Sequence, residues 1–227
     1  IGPEEAQGPP AILGVAEIEN LKVLQELTGQ EVLRSAHYGI VHYDSPDRRG
    51  IDVGLLYNTQ VFQVISSKVF ELELYDTDRE AKRIYTRDQL LVTGNLAGER
   101  MHVIVNHWPS RSGGEARTRP RRMAAAALNK KIMDSILSQE PYAKIVSMGD
   151  LNDDPKDKSL KKVLKTKARL EAVGLREIYN PMERMAKRGQ GTLAYRDSWN
   201  LFDQILLSSA WLSKDYETFQ FYKAGIF

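Results

Sequence analysis

The feature that most constrains the fold is a hairpin followed by a long helix and a buried strand, over residues 88–150. Two β-rich runs flank the turn NLAG in DQLLVTGNLAGERMHVIVNHWP, which predicts a hairpin whose second strand closes at Pro109. The alanine-rich segment RPRRMAAAALNKKIMDSILSQ predicts a helix, and AKIVSMGDL predicts the next strand. The apolar stripe of that helix consists of Ala125, Leu128, Ile132, Ile136 and Leu137.

The rest of the chain adds more strands and two shorter helices. NLKVLQELTGQEVL predicts a helix capped by Asn20, and the lysine-rich segment after Pro155 predicts a second helix. The predicted strands are AILGVA, YGIVHYDS, IDVGLLYN, VFQVISSKVFELEL and FDQILLS. Many strands, several of them joined by hairpins, favour a mixed α/β domain with stacked sheets over a simple parallel array.

Composition excludes several classes of protein. The 227 residues suit one large domain or two small ones, and the apolar and charged contents of 42% and 27% are ordinary for a globular chain. No window approaches the roughly 18 consecutive apolar residues of a membrane span. The chain has no cysteine, which excludes disulfides, thiolate chemistry and cysteine-bound zinc.

Charge and glycine patterns give only weak functional signals. The net charge of +2 is too small to indicate nucleic acid by itself. One segment contains a cluster of arginines, which favours phosphate binding. The cluster consists of Arg111, Arg117, Arg119, Arg121 and Arg122. The sequence contains neither GxxxxGK[ST], GxGxxG, GxSxG nor HExxH, and its four histidines lack zinc-ligand spacing.

The stretch IVSMGDLNDDP runs from an apolar strand into a group of acids and an amide. It fits an ordinary turn, a calcium loop or one wall of a catalytic site. A calcium loop needs a glycine at its sharp turn, where this chain has Pro155, and a closing bidentate glutamate, where it has Lys161. The calcium-loop interpretation therefore fails.

Four predicted strands carry polar side chains at their ends. Each group has an ordinary explanation by itself: a helix-entry acid, a hydrogen-bonded histidine, an Asx-turn or a capping carboxylate. Taken together they predict a catalytic edge. The residues are Glu17, Asn106, His107, Asp150, Asn152, Asn200 and Asp203.

The segments GVAEIEN, RRGIDVGLLY, VNHWPSR, MGDLNDDP and WNLFDQILLS, in this order, resemble the endonuclease/exonuclease/phosphatase superfamily with the deoxyribonuclease I fold. The resemblance covers nearly the whole chain and is most specific at GDLN and NHW. It is nearest to a bacterial branch of uncharacterised predicted hydrolases and endonucleases. The fold it implies is a four-layer α/β sandwich, with two mostly antiparallel sheets face to face and helices outside.

The resemblance also implies roles for single residues. Glu17 matches the metal-binding glutamate, and His107 matches the histidine that contacts the scissile phosphate. Asp150 matches the acid that orients or deprotonates the attacking water, and Asn152 the asparagine that binds phosphate or orients that nucleophile. Asp203 matches the supporting aspartate before the last strand. Further substrate contacts are expected from Tyr43, Arg49, Asn106, Trp108, Arg111 and Asn200.

A phosphodiester is anionic, so its hydrolysis requires an activated water and positive charge on the non-bridging oxygens. Carboxylates that hold Mg²⁺, with Mn²⁺ as the alternative metal, supply that charge. We therefore predict a Mg²⁺-dependent phosphodiesterase or endonuclease that acts on a phosphodiester, with nucleic acid among its candidate substrates. The alternatives are a phosphomonoesterase, a lipid-headgroup phosphodiesterase and a non-catalytic module that binds phosphate ligands.

We expect residues 1–227 to form a single domain and a monomer. Against the family pattern, the opening strand with its asparagine would precede Ile1, and the closing Ser-Asp-His segment would follow Phe227. We therefore expect the activity of these 227 residues alone to be impaired. Members of this branch are often exported, so export is expected if a leader was removed, although no signal-peptide pattern is present.

Overall fold

A computed structural model describes residues 8–76, 82–215 and 217–226. The strands are β1 (Ile12–Ile18), β2 (Tyr38–His42), β3 (Asp52–Asn58), β4 (Phe62–Phe70), β5 (Leu74–Asp76), β6 (Lys82–Ile84), β7 (Gln89–Leu96), β8 (Glu99–His107), β9 (Lys144–Asp150), β10 (Ile178–Tyr179), β11 (Leu193–Tyr195), β12 (Ser198–Asn200) and β13 (Asp203–Ser208). The α-helices are α1 (Leu21–Thr28), α2 (Glu31–Arg34), α3 (Glu115–Gln139) and α4 (Met182–Ala186).

Two sheets carry most of these strands. The larger sheet has the order β10-β13-β9-β8-β7-β4, and the smaller has the order β1-β3-β2. Within both main sheets, as far as the structure describes them, neighbouring strands are antiparallel except β8 and β9, which are parallel because α3 forms the crossover between them. β5–β6 and β11–β12 form separate two-stranded sheets.

The two main sheets pack face to face over one apolar cluster. Val53 and Leu55 of β3 meet Val92 of β7 and Val103 and Val105 of β8 there. A second cluster lies on the opposite face of the larger sheet, where Ile104, Ile145 and Leu206 pack against Ile132 and Leu137 of α3. Alternate residues of β8 therefore belong to different cores, as the two-residue period of a strand requires. The predicted sandwich of two sheets with helices outside is confirmed.

Local predictions from the sequence hold at several places. Asn20 caps α1 by accepting a hydrogen bond from the Val23 amide, 3.1 Å away. The long predicted helix exists, although it begins earlier, at Glu115, and contains Pro120.

The predicted lysine-rich helix is wrong in type and length, since Ser159–Leu164 forms a short π-helix whose Leu160 and Leu164 are buried. None of the helices in the described ranges is long and apolar enough to cross a membrane.

Candidate active site

Three neighbouring strands of the larger sheet bring predicted site residues side by side. The parallel register of β8 and β9 pairs His107 with Asp150, and the antiparallel register of β13 and β9 pairs Asp203 with Asp150. Hydrogen bonds continue past the strand ends, from the Trp108 amide to the Asp150 carbonyl and from the Leu151 amide to the Phe202 carbonyl. The convergence of His107, Asp150 and Asp203 follows directly from this register.

Gly149 makes the close approach of β8 and β9 feasible. Its φ of +129° lies in a region that side chains rarely adopt, and a Cβ there would lie 2.0 Å from the Asn106 carbonyl oxygen. Only glycine fits this contact. The residue before Asp150 therefore fixes where the Asp150 carboxylate emerges from the sheet.

The Asp150 carboxylate is held by the turn that follows it. The Asn152 amide donates to Oδ1 over 2.8 Å, and Asn152 Nδ2 donates to Oδ2 over 3.2 Å. Asn152 Nδ2 also donates to the Trp108 carbonyl, and its φ of +51° completes the tight turn. Asn152 is thus placed to orient Asp150.

Burial and the nearby carboxylates of Asp203 and Glu17 raise the pKa of Asp150 to about 6. The hydrogen bond from the Asn152 amide and the charge of Arg87 oppose this shift. A carboxyl group with a pKa near neutrality is suited to accept a proton from water.

His107 is almost fully buried, and its Nε2 lies 3.7 Å from Asp150 Oδ2, too far for a hydrogen bond. Burial, together with the positive charges of Arg87 and Arg49, lowers the pKa of His107 to about 3. The imidazole is therefore neutral at physiological pH. Its Nδ1 has no hydrogen-bond partner in the described part of the chain.

Glu17 comes from the other sheet. The register of β1 against β3 shifts between Ala16 and Ile18, so Glu17 forms a β-bulge with φ of +59° and an exposed side chain. β1 packs directly on β8 and β9, because Gly14 lies against Met148 and Val105. The bulge directs Glu17 out of the ladder at the edge where its charge reaches Asp150.

Arg87 and Asp47 are site residues that the sequence did not single out. Arg87 is buried, and it donates to the Trp108 carbonyl over 2.6 Å and to Asp47 Oδ2 over 3.0 Å. Arg49, an expected phosphate contact, is mostly exposed and pairs with Asp47 Oδ1 over 3.4 Å. A lone arginine between two strands carries no sequence motif, so only the structure identifies Arg87.

Two predicted substrate contacts, Asn106 and Trp108, have side chains that lie in the core. Asn106 is fully buried, and its Nδ2 donates to Ser147 Oγ over 2.9 Å. Its Oδ1 accepts from Trp108 Nε1 and from Asn129 Nδ2. Trp108 is only 1% exposed, so both side chains are part of the core, and substrate contacts by Asn106 and Trp108 stay predictions. Their network joins β8, β9 and α3 beneath the site.

Arg111 binds the loop that follows β9 and also lines a cleft with Asn152, so the predicted phosphate contact by Arg111 stays a prediction. Its guanidinium donates to the Asn152 carbonyl over 2.9 Å and to Asp157 Oδ2 over 2.6 Å, and it lies 4.4 Å from the centre of the Phe202 ring. It also contacts Asp153 and Asp154. Arg111 therefore holds the loop after β9 in place.

Asp153 and Asp154 are more than the exit turn that the sequence suggested. Asp153 is fully buried and forms a 2.5 Å ion pair with the equally buried Arg122. Asp153 also accepts from Ser159 Oγ, and Asp154 accepts from the Leu201 amide over 2.8 Å. Asp153 thus anchors the loop to α3, and Asp154 anchors it to the segment that precedes β13.

Tyr43 and Asn200 occupy the periphery of the site. Tyr43 is exposed, and its hydroxyl lies 2.7 Å from Ser67 Oγ on the edge strand β4. Asn200 lines a cleft of about 680 Å³ together with Asn152, Arg111, Phe202 and Tyr195. Substrate contacts by Tyr43 and Asn200 stay predictions.

A second group of potential metal ligands lies on the smaller sheet. His42, Asp44 and Asp52 each offer a ligand atom, and these atoms lie within 4.8 Å of one another. Asp52 already binds His42 Nε2 over 3.0 Å and accepts from the Ser45 amide over 2.7 Å. His42 and Asp52 thus satisfy each other within this group.

Comparison with known proteins agrees with this geometry. The sequence model described as the Endonuclease/Exonuclease/phosphatase family matches residues 2–227. No curated protein sequence matches the chain.

Several solved structures share the fold at low sequence identity. The human Nocturnin catalytic domain with bound sulfate has 18% identity and a TM-score of 0.61, covering 88% of this chain and 69% of Nocturnin. D. rerio TDP2 complexed with a single-strand DNA product has 15% identity and a TM-score of 0.55, covering 88% and 72%. ANGEL2, a 2',3'-cyclic phosphatase in complex with adenosine-2',3'-vanadate, has 13% identity and a TM-score of 0.62, covering 88% and 70%.

Proposed function

This chain belongs to the endonuclease/exonuclease/phosphatase family of metal-dependent phosphoric ester hydrolases, and we propose that it is a Mg²⁺-dependent phosphodiesterase. The observation that carries the proposal is the convergence of Glu17, His107, Asp150 and Asp203 at one sheet edge. A structural role alone does not require three carboxylates whose charges oppose one another.

The group of carboxylates fits a hard divalent cation. Repulsion from Glu17 and Asp203 raises the pKa of Asp150, and positive charge held among these oxygens offsets that repulsion. Glu17 is the proposed metal ligand, because its exposed side chain leaves the ladder at the bulge. When bound, Mg²⁺ supplies positive charge to the non-bridging oxygens of the phosphate.

Other side chains of this protein have the remaining roles in hydrolysis. Asp150 accepts the proton of the attacking water, and the two hydrogen bonds from Asn152 fix its orientation. His107 is neutral, and we assign its proton to Nε2, from which it donates a hydrogen bond to a phosphate oxygen. Arg49 and Arg87 add positive charge on the same side as His107.

Nucleic acid is the proposed substrate. The hairpin of β11 and β12 exposes Tyr195 and Trp199, and Tyr195 lines the cleft beside Asn152. Exposed aromatic rings next to a phosphate site offer stacking platforms for bases. A single-strand DNA product in a protein of this fold supports the same choice.

The test is Mg²⁺-dependent hydrolysis of bis(p-nitrophenyl) phosphate and plasmid DNA, with p-nitrophenyl phosphate as the monoester. Asp150→Asn should lower kcat/KM for the diester by roughly 10²–10⁴-fold, because it removes the base. Asp134→Asn, an exposed carboxylate on α3, is the matched control and should behave like the wild type.

The outcomes separate the alternatives. Faster hydrolysis of the monoester would make the protein a phosphomonoesterase. Metal-independent binding of phosphate esters without hydrolysis of any substrate would make it a binding module. Equal diester rates for Asp150→Asn and Asp134→Asn would reject the proposed base.

A further inference from the structure

We propose that a cavity beside His107, lined by Arg49, Arg87 and Arg121, binds a second phosphate group of the substrate, adjacent to the scissile one. This inference rests on the proposed phosphodiesterase function and names a feature that its substrates share. The cavity has a volume of about 320 Å³. Thr86, Ser110 and Ser112 are also among the residues that line it.

The charges on the wall of the cavity favour an anion. Three guanidinium groups line the cavity, and the carboxylate that pairs with two of them is Asp47. Arg121 forms no ion pair within residues 8–76, 82–215 and 217–226. Gathering cations without matching anions is unfavourable, and a phosphate would compensate their charge with charge-assisted hydrogen bonds.

Two residues that line the cavity each have a buried polar atom without a hydrogen-bond partner. Thr86 Oγ1 and Arg87 Nε form no hydrogen bond in the described part of the chain, although both residues are about 95% buried. Buried polar atoms are nearly always satisfied in native proteins, by protein, water or ligand. Phosphate oxygens accept several hydrogen bonds at once and so suit both donors.

The cavity is fixed relative to the reacting centre. Arg87 is clamped between the Trp108 carbonyl and Asp47, and Ser110 follows His107 by three residues. The positive charges of Arg87 and Arg49 act on His107 directly. A phosphate in the cavity is therefore a neighbour of the phosphate beside His107, as in an oligonucleotide or a nucleoside diphosphate.

The rim of the cavity favours the oligonucleotide. Tyr85 lines the cavity with 42% of its surface exposed, and the guanidinium groups of Arg83 and Arg48 lie 5.1 and 5.9 Å from its ring centre. A nucleic-acid strand that continues past the second phosphate meets this ring and these cations. A nucleoside diphosphate ends inside the cavity.

The first test measures binding without turnover. Fluorescence anisotropy of a labelled oligothymidylate in EDTA, at several salt concentrations, gives the affinity and its salt dependence. Arg121→Gln should weaken binding about fivefold and reduce the log–log salt slope by about 0.7, the value for one contact to a single strand. Competition by ADP and by unlabelled oligothymidylate distinguishes the two sources of the second phosphate.

Arg100→Gln is the matched control, because Arg100 lies at the opposite end of β8 from His107. It should retain the wild-type affinity and salt slope. Equal affinities and slopes for Arg121→Gln and Arg100→Gln would overturn the proposal.

Thr86→Val provides a second variant that should remain folded. It removes the unpartnered hydroxyl with little change in shape, so the free energy of unfolding should be equal or higher. A two- to threefold loss of oligothymidylate binding, with unchanged or greater stability, supports the subsite. Unchanged binding with greater stability means that the hydroxyl serves no ligand, and counts against it.

Hydrolysis assays keep this inference separate from the proposed function. Bis(p-nitrophenyl) phosphate has no second phosphate, so Arg121→Gln should lower kcat/KM for an oligonucleotide at least about fivefold more than for this diester. If Arg121→Gln hydrolyses the diester but leaves the ratio of the two kcat/KM values unchanged, the proposed function stands and the subsite is rejected. Arginine-dependent binding without hydrolysis keeps the subsite and rejects the function.

Discussion

The Nε2 atom of His107 lies 3.7 Å from Oδ2 of Asp150, on the neighbouring parallel strand of the same sheet. This separation is too long for a hydrogen bond, and His107 is buried beside Arg87. The pair is thus a neutral imidazole next to a carboxyl group whose pKa is raised.

We expect His107 to stay neutral from pH 5 to pH 8, because burial and the two arginines lower its pKa to about 3. The measurement is an NMR titration of the imidazole C2 proton, assigned by the loss of its resonance in His107→Asn. A titration midpoint near the ordinary value of about 6.5 would contradict the expected environment.

Asp203→Asn should lower the pKa of Asp150 below its value of about 6, because one of the carboxylates that raise it is removed. Carboxyl ¹³C NMR of the metal-free protein measures the shift directly. Asp134→Asn, remote on α3, should leave it unchanged. An unchanged or higher pKa in Asp203→Asn would show that the two groups do not interact.

Asp88→Asn should stabilise the protein at pH 7.5. Burial raises the pKa of Asp88 from 3.8 to about 6, so the folded state disfavours the ionised form, and stability falls as pH rises from about 4 to 6. The expected gain is about 1–3 kcal/mol at pH 7.5 and close to none below pH 4. Urea unfolding at both pH values measures it; an equal gain at both would rule out ionisation as the cause.

Arg122→Ala should cost about 3–5 kcal/mol, because it removes the fully buried cation paired with Asp153, and the longer 3.3 Å contact from Arg111 does not replace it. Arg119→Ala is the control on the same helix, where the pair with Glu115 is partly exposed and contributes less than about 1 kcal/mol. The free energy of unfolding from urea titrations distinguishes them. Similar losses in both variants would mean that Asp153 finds another partner.

Gly149→Ala should destabilise the protein by more than about 3 kcal/mol and lower kcat, because its Cβ would force β8 and β9 apart beneath Asp150. Gly98→Ala shares the positive φ but meets no atom within 4 Å, so it should cost only about 1–2 kcal/mol. Thermal and urea unfolding measure both variants. Equal losses in the free energy of unfolding would mean that backbone strain alone causes the destabilisation in Gly149→Ala.

The sequence by itself determined the local elements and the strand ends. Alternating apolar residues and the NLAG turn specify β7 and β8, and Asn20 specifies the start of α1, because these features depend on neighbours in the chain. The same patterns locate His107, Asp150 and Asp203 at strand ends, at the sheet edge where we propose the site.

Only the tertiary structure decided which polar groups are free to act. Arg87 meets Asp47 across 40 residues, and Arg122 meets Asp153 across 31, and no local pattern encodes such pairs. Asn106 and Trp108 are buried in the core, and the bulge at Glu17 places its carboxylate where its charge reaches Asp150. The physical reason is that charge, solvation and reach depend on what the folded chain packs around each group.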